Sequence, residues 1–126
     1  MRAEPIEVWV PRNPARRNAG LHLRPVGEAA RAALADALAA PPHDIRCEPR
    51  TEMHAEPRVR VLRELALRRG SDLDMRVAEG RAVISLDEET GRTLAAAVRE
   101  ARDHGERLFP GRLDGREGAL WIWWPA

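Results

Sequence analysis

The sequence predicts a ferredoxin-like α+β fold: a βαββαβ sheet with two helices on one face and an irregular or helical insertion over 41–70. Three patterns carry the prediction. Two stretches have helical stripes, one pair of strands has a self-consistent hairpin register, and short alternating segments lie at both ends of the chain. At 126 residues the chain is read as one domain, 1–126, long enough to bury a core.

Ile6, Glu7, Val8, Trp9 and Val10 alternate between Pro5 and Pro11. This predicts a strand with Ile6, Val8 and Val10 toward the core and Trp9 on the opposite face. The stretch 11–25, with Pro14, Gly20 and several arginines, predicts a long loop. A first helix is expected over 26–40, with Pro25 suited to its first turn and Pro41-Pro42 ending it. The segment 41–56 reads as irregular. From Pro57 the spacing of Val59, Leu62, Leu65 and Ala66 favours a helix capped by Gly70, although Arg58-Val59-Arg60-Val61 alternates as a strand would.

Over 73–86 a turn at Glu79-Gly80 pairs Leu73 with Leu86, Met75 with Ile84 and Val77 with Ala82. All six are apolar and share one face, and a slip of one residue would destroy that separation. Asp87 should cap a second helix over 87–103, with Gly91, Leu94, Val98 and Ala101 on its stripe and Gly105 at its end. A turn-rich segment, 110–118, then leads into Leu120-Trp121-Ile122-Trp123-Trp124.

Four tryptophans, one phenylalanine and no tyrosine supply all the aromatic mass. In the predicted topology Trp9, Trp121 and Trp123 share the sheet face that no helix covers, with Arg76 and Arg81 further across. These five are the expected binding residues. Tryptophan and arginine are enriched where proteins dock, so the leading expectation is an intracellular interaction module with a protein partner or a second copy. Buried structural packing of the same rings is the bland alternative. Base stacking on single-stranded nucleic acid is less favoured, because the strand 81–86 has no aromatic residue and the net charge is only +1.

The enzyme alternative is a ferredoxin-like dimer binding an anionic substrate, with His22 and Arg24 at a pocket mouth and Arg12, Arg16 or Arg17 nearby. No base or nucleophile stands out, so no catalytic residue is assigned. His43, Asp44, Cys47 and His54 have ligand chemistry but no common zinc spacing, so no metal or cofactor is expected. One cysteine excludes an internal disulfide, and no apolar run is long enough for a membrane helix; a cytoplasmic protein fits. All 21 basic residues are arginine, a bias that a GC-rich genome explains.

Overall fold

The computed structural model describes residues 3–12, 20–48, 58–101 and 105–124. Among them are nine strands in one mixed sheet and two helices. The ferredoxin-like prediction is therefore wrong. The strands are β1 (Ile6–Pro11), β2 (Leu21–Pro25), β3 (His43–Arg46), β4 (Val59–Leu62), β5 (Glu64–Arg69), β6 (Asp74–Ala78), β7 (Arg81–Leu86), β8 (Gly105–Leu113) and β9 (Arg116–Trp124). The helices are α1 (Glu28–Ala39) and α2 (Glu88–Glu100).

The misread segments share a cause. Leu21, His22 and Leu23 form a strand inside the expected loop, because Leu21 and Leu23 alternate with His22 over too few residues to stand out. The expected helix over 57–70 is β4 and β5, broken only at Arg63. There the alternation of Val59 and Val61 wins over the helical spacing, since both sides of the segment find strands to pair with. The supposed turn-rich run before the tryptophans is a long hairpin, β8–β9, turning at Asp114-Gly115. Pro25 closes β2 rather than opening α1, whose N-cap is Gly27.

The hairpin β6–β7 has the expected register throughout, from Asp74 opposite Ser85 to Ala78 opposite Arg81. Its turn residues Glu79 and Gly80 both take positive φ, 51° and 78°, as a two-residue turn matched to strand twist requires. Asp87 caps α2 by accepting from the Thr90 N–H. Hydrogen bonding to the charged form holds the Asp87 carboxyl below its ordinary range.

The strand order is β3-β5-β7-β6-β8-β9-β2-β1-β4. β9 is thus central, but β2 lies between it and β1, so the first and last strands are not neighbours as expected. The order also closes on itself. Glu4, just ahead of β1, bridges in parallel to Cys47, just after β3. The inward faces of the strands and the facing stripes of α1 and α2 form one apolar cluster, with Ile6, Leu23, Leu34, Leu65, Ile84, Leu94 and Ile122 fully buried.

Two halves of the chain repeat one plan. β1, β2, α1, β3 and β4–β5 match β6, β7, α2, β8 and β9: a hairpin, a helix, and two more antiparallel strands. The first and third strands of the second half meet in parallel at Asp74–Arg112 and Met75–Leu113, and in the first half the residues flanking those strands, Glu4 and Cys47, form an isolated parallel bridge. Second and fourth strands cross between halves, β2 with β9 and β7 with β5, both in parallel. The buried helix positions match too: Leu34, Ala35, Ala37 and Leu38 in α1, Leu94, Ala95, Ala97 and Val98 in α2.

Candidate functional site

β1, β2 and β9 bring the tryptophans together. Pairing sets Trp9 opposite His22 and His22 beside Trp121, so the three rings stand in one row across three strands. Neighbouring strands are about 4.8 Å apart, within the range of about 4.5–7 Å between centroids of offset-stacked rings. The centroids are 5.1 Å apart for Trp9 and His22 and 5.5 Å for His22 and Trp121, with the rings 13° and 10° from parallel. Trp123 lies within 6.4 Å of all three rings. Its Nε1–H donates to His22 Nδ1 at 3.0 Å, which requires that nitrogen to be unprotonated.

The row continues on both sides. Leu108 of β8 lies opposite Trp121, and Val61 of β4 lies opposite Trp9. Leu108 is 48% exposed, the one large apolar side chain so exposed among the described residues. Beside the row, Arg24 Nε donates to Glu7 Oε1 at 2.5 Å, and its guanidinium sits 5.5 Å from the Trp9 ring centre. Glu7 is fully buried, and its ion pair with Arg24 offsets part of the cost of that burial. Sequence reasoning missed His22 and Glu7 as members of this group. The signal for His22 was its place between Leu21 and Leu23, readable only once 21–25 is taken as a strand.

Of the five expected binding residues, Trp9, Trp121 and Trp123 are together and half-buried. Arg76 and Arg81 are not with them, because β6 and β7 lie on the far side of β8. They border a separate depression of about 530 Å³ with Arg63, Glu64, Gly80 and Val83. Carboxylates are interleaved there. Arg81 lies 3.8 Å from Glu64 and 3.9 Å from Asp44, and Arg76 lies 3.4 Å from Asp74. The charge of the depression is thus compensated by its own rim.

The other candidates fare differently. His22 is 3% exposed and engaged by three indoles, and Arg24 is held by Glu7, so neither is poised at a pocket mouth. Arg16, Arg17 and His54 lie outside the described residues. Asp44 accepts from Arg68, which holds its carboxyl below the usual range, with Arg81 and His43 adding to the effect. Burial pushes the Cys47 thiol up to about 12, with Glu4 and Glu64 adding to it, so it is no nucleophile at neutral pH. Among the described residues no three metal-ligating side chains gather, and no helix is long and apolar enough to cross a membrane. No family model, curated protein or solved structure matches this chain.

Proposed function

We propose that the chain is a small intracellular interaction module that binds another protein, a second copy of itself foremost, through the Trp9–His22–Trp121 face. The observation that carries this reading is the aromatic row ending on exposed Leu108. A row across five strands that ends on exposed Leu108, with the partly exposed Arg24 guanidinium beside it, offers an apolar strip next to a cation, as docking surfaces do. A single buried thiol, Cys47, suits a reducing compartment. The stacked rings give their faces to one another, which leaves less free ring face for an inserted nucleotide base and favours a protein surface.

Light scattering over a concentration series tests the reading. Wild-type mass should rise with concentration, and Trp121→Ala with Trp123→Ala should reduce the rise while circular dichroism still reports a fold. A wild type that stays monomeric at millimolar concentration overturns self-association. A double variant that unfolds, from a monomeric wild type, identifies the rings as core alone.

A further inference from the structure

We infer that two copies of the chain join edge to edge through β8, antiparallel and centred on Leu108, extending the aromatic row from one molecule into the next. This rests on the self-association reading above and specifies its geometry.

The inner side of β8 is fully paired with β9, from Gly105 opposite Trp124 to Leu113 opposite Arg116. Its outer side meets β6 only at Arg112 and Leu113. The direction of the backbone groups is fixed by one bond: the Arg112 N–H donates outward to the Leu73 carbonyl at 3.1 Å. Alternation then turns the N–H and C=O of Glu106 and Leu108 outward as well. Pro110 has the same parity, and its missing N–H takes nothing from the ladder with β9. Glu106, Arg107, Leu108 and Pro110 are all exposed. A strand edge of this kind is a template for another strand.

The residues on this edge select the occupant. Outward groups lie on even-numbered residues, so a second β8 must pair even with even. Centring on Glu106 opposes two glutamates, and centring on Arg107 opposes two arginines. Centring on Phe109 pairs Leu108 with Pro110 and sets Glu106 against Arg112, whose N–H is already used by Leu73, so that register forms fewer bonds. Centring on Leu108 opposes no like charges. It places Leu108 on Leu108 and Glu106 on Pro110, and it sets Arg107 beside Phe109 of the other copy. Within one chain Arg107 already stands 5.5 Å from the Phe109 ring centre. Four hydrogen bonds form: two between the leucines and one from each Glu106 N–H to a Pro110 carbonyl. The rows Trp9–His22–Trp121–Leu108 of the two copies then meet head on.

The matching strand of the other half does not share this property. β3 also has an open outer stretch, but it carries exposed His43, Asp44 and Arg46 with Ile45 buried. It is guarded by charge, whereas β8 exposes a leucine.

Two variants of the full chain test the proposal. Glu106→Pro deletes an outward N–H that β9 does not use, and it should lower the association constant at least tenfold with the melting temperature nearly unchanged. Leu108→Cys should form an intermolecular disulfide in air, since such a pair has Cα atoms about 5.5 Å apart. The native Cys47 is buried and cannot compete. Arg116→Cys, at the far end of the hairpin, should not cross-link. If Glu106→Pro does not fold, the cysteine pair decides. A dimer that keeps its affinity in Glu106→Pro, or leaves Leu108→Cys reduced, overturns the edge geometry. If that dimer is still weakened by the double tryptophan change, the aromatic-face reading stands without the edge. A strictly monomeric wild type removes both.

Discussion

At the scale of single residues, the aromatic group contains a hydrogen bond that sequence could not announce. Trp123 donates to His22 Nδ1 at 3.0 Å. Trp123→Phe keeps a ring but removes this donor to His22 Nδ1 in a site 3% exposed. The expected loss is about 1 kcal/mol, read from urea unfolding, the typical net contribution of one hydrogen bond. An unchanged midpoint would mean that His22 finds another donor without strain. Cys47 gives a prediction with a pH sign. Its folded pKa, about 12, lies above its ordinary value of 9.0. Below 9 the thiol is neutral in both states, so its contribution to stability is fully present. Between 9 and 12 only the unfolded chain ionises, so stability falls as pH rises. Cys47→Ala should flatten that alkaline decline. Iodoacetamide should label Cys47 in urea and spare it in the folded protein; rapid labelling of the folded chain at pH 8 would contradict its burial.

At the scale of elements, α1 and α2 cross closely because α2 has a glycine where they meet. A Cβ on Gly91 would stand 2.6 Å from the Leu38 carbonyl oxygen and 3.1 Å from Leu86 Cδ1. Helix propensity alone predicts that Gly91→Ala stabilises by about 1 kcal/mol. Overpacking against backbone outweighs this, at about 1–3 kcal/mol. The variant should therefore melt lower than wild type, and a higher melting temperature would show that α1 can move aside at little cost. The same contrast explains what was legible in the chain. The β6–β7 hairpin could be read because Leu73, Met75, Val77, Ala82, Ile84 and Leu86 separate cleanly from their polar neighbours and Gly80 marks the turn. The stripe and cap of α2 could be read because Asp87 and Leu94 act locally. β2, β3, β4 and β5 could not, because the alternation of each makes sense only beside a strand distant in the chain. Leu65 and Leu67 are buried by β7 and β3, and nothing between 57 and 70 says so. The candidate site followed the same rule. Alternation put Trp9, Trp121 and Trp123 on the outward sides of their strands, but their nearness was expected from a direct contact of first and last strands, whereas β2 and its His22 lie between them; Arg76 and Arg81 stand apart, beyond β8.

For the molecule as a whole, the repeated plan makes each half dependent on the other. In the first half β2 finds its second neighbour in β9, and in the second half β7 finds its own in β5. Leu21 and Leu23 lie against Leu120 and Ile122, and Leu65 and Leu67 against Ala82 and Ile84, so the core is built across the boundary rather than within either half. The helices also pack on each other, one from each half. A fragment ending at Gly70, or one beginning at Ser71, would leave two strand edges and one helix stripe exposed to water. Burying a leucine or isoleucine contributes about 1.5–3 kcal/mol, and a domain's whole stability is about 5–15 kcal/mol. Losing several such contacts at once leaves nothing to hold a half together. Each fragment alone should therefore show a disordered circular dichroism spectrum, and mixing them in equal amounts should restore the native spectrum and a single melting transition. The inward residues of the two halves are similar enough that a fragment could pair with its own kind. Such a homodimer would have two β2–β5 or two β7–β9 junctions, and light scattering would report it as twice the fragment mass. A fragment that folds as a monomer would contradict the shared core. Restoration only on mixing would show that the crossed pairs β2–β9 and β5–β7 are what make one domain of two similar units.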